Sequence, residues 1–375
     1  MQIAATVLVV ATILLALDAV GVPPFGPSRA SSKAPVNTRS SSPQGSVAPR
    51  FFQPAQVAFS DSTVWITNPY SSQTGQSPYP SGPGYIDELS GNTGHLVRVL
   101  NVRQDGLEHP SAIVANRSFV WVEDDETSRV AQLRASDGAL VQVFASPQVA
   151  SLGYAEMALC GGSLWLDTGN KRLAEMSAVS GRVERILSLR SEGVSSPSNL
   201  VSEGSRLWVS DSYTTTFTEL NCLTGSVIRT IHPAVNGGNS VVGLLPAGNE
   251  LWLSGDGVFQ VGQTDGDTVA GIHNASFGQP DVWVAAIQDN SLWMLEVTGA
   301  AQGAAQVVSL STGQLIKDVR LGNFDQPTAM GIGGGKAWIL DGEGVAVDVF
   351  DAKTGAPIWH FGRKWPRPPS CGCLP

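Results

Sequence analysis

"PSNLVSEGSRLWVSDSYTTTFTELNCLTGSVIRTI" (197–231) contains four short apolar segments separated by small and polar residues. "PSNLVSEG" (197–204) reads as a first strand and turn, and "SRLWVSD" (205–211) as a second strand. "FTELNCLTG" (217–225) reads as a third strand with its hairpin, and "SVIRTI" (226–231) as a fourth. Short apolar runs bounded by turn residues are the mark of a small antiparallel sheet. At the centre of the unit stands a Trp flanked by apolar residues and trailed by an acid. The chain rewrites that centre in "RSFVWVEDD" (117–125), "GGSLWLDTGN" (161–170), "GNELWLSGD" (248–256), "DNSLWMLEV" (289–297) and "GGKAWILDG" (334–342).

Aligned on this residue, the strings give Trp65, Trp121, Trp165, Trp208, Trp252, Trp293 and Trp338, with gaps of 56, 44, 43, 44, 41 and 45 residues. A period in the low forties made of short strands predicts an all-β, seven-bladed β-propeller of four-stranded antiparallel blades over residues 51–361. A second anchor recurs as a glycine turn before each last strand, at Gly94, Gly138, Gly181, Gly225, Gly266, Gly313 and Gly355. Glycine there supplies the positive φ that a hairpin needs. The Trp has a mechanical role, since a large flat side chain fills the wedge between stacked blades. "APIWHF" (356–361) completes its own blade, so ring closure is expected to rest on side-chain packing, with Phe51, Phe52, Trp359 and Phe361 contributing.

With 41 glycines and only 15% charged residues, the chain suits short strands and tight turns better than helices. A net charge of −9 without a basic run excludes nucleic acid as a partner. Residues 1–21 are apolar from Ile3 to Leu17 and read as a signal peptide or membrane anchor. No Lys or Arg precedes that run, whereas Arg29, Lys33 and Arg39 follow it, which in a retained anchor would favour a cytoplasmic C-terminal side. Export is the expectation, with membrane contact only through this segment. Residues 22–50, rich in Pro, Ser and Gly, read as a disordered linker, and 362–375 as a C-terminal tail. Of the four cysteines, Cys160 reads as a buried small hydrophobe and Cys222 lies beside a turn, while Cys371 and Cys373 sit in the tail. No pairing among them follows from the sequence.

The pattern of Trp strand, apolar third strand and TG turn resembles the NHL and YVTN propeller repeats across essentially all of 51–361. That resemblance implies a binding platform, a sensor domain or, in some members, an enzyme. "VFDAKTGAPIWHF" (349–361) is similar to the repeat of pyrroloquinoline-quinone proteins, in which a docking Trp follows the TG turn at the distance of Trp359; the other six blades have no Trp there.

In this connectivity the loop between second and third strands and the loop between blades share one face, here called the top. The acids trailing the Trp strands fall on it: Glu123, Asp124, Asp125, Asp167, Asp211, Asp256, Glu296 and Asp341. Asp124, Asp167, Asp211, Asp256 and Asp341 together suggest a partial ring able to hold Ca²⁺ or Mg²⁺, which prefer oxygen ligands. The simpler expectation is that each acid fixes its own turn through backbone N–H groups, and no cofactor is then needed. Blade 1 departs from the repeat with "TNPYSSQTGQSPYPSGPGY" (67–85), carrying Tyr70, Tyr79 and Tyr85, residues that suit sugar or peptide contact. The next inter-blade loop adds Glu108 and His109, and Glu123 and Asp124 lie on the neighbouring blade. No GxSxG, HExxH, CxxC or P-loop occurs. The leading expectation is a monomeric, extracytoplasmic, non-enzymatic scaffold that binds protein or glycan through Tyr70, Tyr79, Tyr85, Glu108, His109, Glu123 and Asp124. The competing one is a metal-dependent lyase or lactonase using the top-face carboxylates and His109.

Overall fold

The computed structural model describes residues 51–362 except 71, 74–79, 146–155, 169–170, 212, 234–242, 255–257, 264–267, 273–280, 299–301, 313, 321–326 and 343–344. The expectations for the leader, the linker and the Cys371–Cys373 tail lie outside the described residues. The chain folds into seven four-stranded antiparallel sheets covering 57–100, 110–145, 157–187, 197–231, 243–272, 281–320 and 327–362, each with its strands in sequence order. The chain is a seven-bladed β-propeller. Blade 4 matches the unit read from the sequence, with strands Pro197–Glu203, Arg206–Asp211, Phe217–Asn221 and Val227–Ile231. Among the described residues no strand is exchanged between the first and last blades.

The repeated Trp fills the gap between blades. All seven are at most 3% exposed. Trp65 packs on Ile113, Val120 and Val122 of blade 2, and Trp121 on Met157, Leu164, Leu166 and Met176 of blade 3. The indole is also a donor: Trp121 Nε1 donates to the Ala178 carbonyl (3.1 Å) and Trp293 Nε1 to that of Ala352 (2.7 Å), each just before the glycine turn of the next blade. Gly94, Gly138, Gly181, Gly225 and Gly355 in those turns have φ between 65° and 70°, the left-handed region expected for them.

A second device runs beside the Trp. Across the sheet, Trp65, Trp165 and Trp208 stand opposite Glu88, Glu175 and Glu219, and these stand opposite Arg98, Arg185 and Arg229. Each carboxylate is buried and ion-paired to its arginine, at 2.6 Å for Glu88–Arg98 and 2.7 Å for Glu219–Arg229. The arginines then reach forward: Arg185 donates to the carbonyls of Thr224 and Leu223, and Arg229 to that of Gln263 at 3.1 Å. A row of Trp, Glu and Arg thus crosses three strands and, from blades 3 and 4, ends on the turn of the following blade.

Between blades 3 and 4 the link is covalent. Cys160 and Cys222 form a disulfide with Cα atoms 5.7 Å apart and 62 residues of separation. Cys160 is buried as expected, yet it is a crosslink and not a simple hydrophobe.

Ring closure rests on packing. Phe51, Val64, Ile66 and Leu89 form one cluster with Trp338, Leu340, Val347 and Val349, covered by Trp359 and Phe361. The rings of Phe51 and Phe361 meet edge-on at 6.4 Å. Trp359 lies against the glycine turn of blade 1, where a Cβ on Gly94 would come within 2.9 Å of its ring. The glycine run of blade 7 makes room for Phe59, since a Cβ on Gly331 would lie 2.6 Å from that ring and one on Gly333 2.2 Å. Gly331→Ala is expected to cost about 1–3 kcal/mol by overpacking. Adding Phe59→Leu is expected to recover part of that loss, so urea midpoints of both single variants and the double variant should show positive coupling. Additive losses would mean that the two residues do not share the seam.

Candidate functional site

Three loops converge on the top face where blade 1 meets blade 2. The blade 1 insertion leaves the second strand Thr63–Asn68, carries a small hairpin of Ser72–Gln73 paired with Pro80–Ser81, and rejoins at Tyr85–Ser90. The inter-blade loop contains a 3₁₀ turn, Val102–Asp105, started by Asn101, whose side chain accepts from the Arg103 N–H. The third loop is the turn after Asp124 in blade 2, closed by Ser128 N–H donating to the Asp124 carbonyl at 3.0 Å. Backbone bonds tie them together: Gly84 N–H donates to the Glu108 carbonyl (2.7 Å) and Asp125 N–H to that of His109 (3.4 Å).

Asp124 is the anchor. Its Oδ2 accepts from the N–H groups of Glu108 (2.5 Å) and His109 (2.6 Å), and its Oδ1 from Thr127 N–H (2.7 Å). Asp211 repeats the arrangement, with Oδ2 accepting from Ser195 and Ser196 and Oδ1 from Tyr213 at 2.9 Å. Burial alone would raise Asp211, but the N–H groups of Ser196, Tyr213 and Ser195 outweigh it and hold the carboxyl below its ordinary range. Both oxygens of each aspartate are therefore engaged by backbone. Asp167 does not occupy the same position. It lies two residues after its Trp, whereas Asp124, Asp211 and Asp341 lie three after theirs, and Thr168 stands at the equivalent place. Side chains alternate along a strand, so Asp167 turns to the opposite blade face. Asp341 is fully buried and Asp167 half-buried, while Asp256 lies outside the described residues. Among the described residues no group of three or more His, Cys, Asp and Glu is arranged to share a metal ion.

Above Asp124, His109 sits half-buried with its Nδ1 at 2.7 Å from Glu126 Oε2 and its ring 4.7 Å from that of Tyr70. Glu108 is paired loosely with Arg103 at 3.8 Å. Tyr85 is not part of this group. It pairs across the strand with Asn68, on the face turned to blade 7, where burial raises its phenol well above the ordinary range. Tyr79 lies outside the described residues. Tyr213 was not singled out from the sequence. It is 72% exposed on the corresponding loop of blade 4, and its place after the Asp of that blade's Trp strand could have marked it.

Glu123 is 1% exposed, with Oε2 accepting from Ser111 Oγ at 2.7 Å and Oε1 without a partner. Burial is the main cause raising it from 4.5 to about 8, opposed by the Ser111 bond and reinforced by the charges of Asp125 and Asp124. A raised folded-state value means that Glu123 contributes fully to stability below about pH 4.5, and that this contribution is lost as pH rises towards about 8. Denaturant midpoints should therefore fall with pH across that window, with a slope from this group of up to roughly 1.4 kcal/mol per pH unit. Glu123→Gln should remove that share of the slope; an unchanged slope would mean the carboxyl is ionised in the fold.

No protein-family model and no curated protein matches the chain. Solved structures similar to it include the computationally designed Ika8 protein, at 16% identity and TM-score 0.58 over 85% of this chain and 91% of that one. BamB from Moraxella catarrhalis is similar at 13% identity and TM-score 0.50, over 78% of this chain and 83% of its own. At such identities the likeness concerns the propeller architecture alone.

Proposed function

We propose that the chain is a non-enzymatic binding platform of an oxidising, extracytoplasmic compartment, of the NHL and YVTN type in its repeat. In this reading it contacts a protein or glycan through the top face at blades 1 and 2. The observation that carries it is the constellation of Tyr70, His109 and Glu126 on loops that Asp124 fixes from below. An aromatic face beside a polar, charge-bearing pair suits a peptide or sugar surface. A scaffold role is compatible with the propeller fold, which presents loops from rigid blades. The Cys160–Cys222 disulfide supports the compartment, because such bonds persist where thiols are not kept reduced. The apolar segment 1–21 supports export, and the chain is taken to act as a monomer.

The test places a photo-crosslinking phenylalanine derivative at position 70 of the full chain in its producing cell, with position 223 on the opposite face as control. One discrete adduct from position 70, absent at position 223 and lost with His109→Ala, is expected. Equal adducts from both positions, or none from position 70, would remove this sector as the binding face.

A further inference from the structure

The segment ahead of the first strand of blade 1 takes the place that an inter-blade loop takes elsewhere. Asn68 stands three residues after Trp65, where Asp124 and Asp211 stand in blades 2 and 4, and its Oδ1 accepts from Phe52 N–H at 3.1 Å. It thus holds the N-terminal strap, residues 51–56, as those aspartates hold their loops. Here the anchor is an amide, and its nitrogen has a second duty: Asn68 Nδ2 donates to Asp87 Oδ2 at 3.1 Å. Asp87 is fully buried, and its Oδ1 has no partner. It stands opposite Ile66 and two residues before Leu89, on the face that packs against Leu340, Val347 and Val349 of blade 7. Asp348 and Asp341 alternate with those residues and turn to the other face of blade 7. On blade 1 the titratable neighbour is Tyr85, and Lys336 lies away from it, over Trp359. No cation among the described residues offsets a charge on Asp87.

We propose that Asp87 is a proton-operated latch on the N-terminal strap: neutral, it lets residues 51–53 seat in the closing seam of the ring, and ionised, it draws water into the seam and unseats them. The geometry sets the route. A carboxylate enclosed by aliphatic side chains with one neutral donor must be hydrated or neutralised. The surrounding strands are held by their ladders, and Pro54, Ala55 and Gln56 by bonds to Thr328 and Thr67, so the start of the strap, Phe51–Gln53, with Phe52 only half-buried, is the cover that can lift. Burial raises Asp87 to about 8, with the Asn68 bond opposing, so the latch is closed at neutral pH and opens in mild alkali.

The experiment follows the Asp87 side-chain carboxyl carbon and the Phe52 amide by NMR across about pH 6–10, in the full chain. A midpoint near pH 8 for Asp87 is expected, with Phe52 protection, corrected for intrinsic exchange, falling up to about tenfold per pH unit as the pH rises towards that midpoint and levelling off above it. Gly225 N–H, bonded to Asn221 in blade 4, should stay protected throughout. Asp87→Asn should hold Phe52 protected at every pH, and Asn68→Ala should expose it at every pH. Titration of Asp87 near its ordinary value of about 4, or pH-independent protection of Phe52, would overturn the proposal. So would an equal loss of protection in Asp87→Asn or at Gly225. Should Asp87→Asn fail to fold, the titration and the wild-type amide still decide.

Discussion

Replacing Cys160 and Cys222 together by serine is expected to lower the stability of the propeller by about 4 kcal/mol. The reasoning is entropic: a crosslink closing a loop of 62 residues removes chain freedom from the unfolded state, by about 4 kcal/mol at that length. For a domain of about three hundred residues this corresponds to roughly 6 °C in Tm. Non-reducing and reducing melts of the wild type should differ by the same amount, and the double serine variant should be insensitive to reductant. The bond is buried, so native protein should resist reduction until blades 3 and 4 open. A wild-type melt unchanged by full reduction would sink the claim that the bond restrains the unfolded chain.

Asp124→Ala is expected to cost about 3 kcal/mol and to loosen the whole blade 1–2 sector. Three backbone N–H groups lose a charged acceptor at once, and hydrogen bonds to charged groups are worth about 1.5–3 kcal/mol each before water compensates the exposed ones. Asp124→Asn, which keeps an oxygen but not the charge, should recover a part. Asp211→Ala should behave alike in blade 4 while leaving the proposed top-face binding at Tyr70 unaffected. The amides of Glu108 and His109 should exchange faster in Asp124→Ala, and addition of Ca²⁺ or Mg²⁺ to the wild type should protect them no further. Saturable protection by either ion would favour the carboxylate-ring reading. So would an Asp124→Ala variant as stable as the wild type.

The architecture was legible because its two determinants are both periodic and local. Trp65 to Trp338 sit one per blade, and the glycine turns need a positive φ that glycine supplies most readily. The Trp–Glu–Arg row was legible too, since Glu88 and Arg98, Glu175 and Arg185, and Glu219 and Arg229 share one spacing. It passes unnoticed when charged residues are assumed to face solvent. Asp167 shows a different failure. Grouping it with Asp124 and Asp211 ignores the two-residue period of a strand, which a count from the Trp would have respected. The Cys160–Cys222 bond was not legible, because four cysteines allow several pairings and nothing local selects one. The meeting of Tyr70 with His109, and of the Asp87 face of blade 1 with Leu340, Val347 and Val349 of blade 7, depends on how loops and end blades come together in space. No window of sequence contains both sides of the second.

The crosslink between blades 3 and 4 also alters what a pulling force would see. Among the described residues the last strand, Pro357–Gly362, is bonded along one side only, so tension on the two chain ends peels it away bond by bond. Blades then unravel in turn from the C-terminal end until the tension reaches Cys222. There the load passes through sulfur to Cys160, and the 62 residues of that loop stay slack. About 20 nm of contour length is withheld from extension, so the same molecule would be measurably longer under tension after reduction than before it.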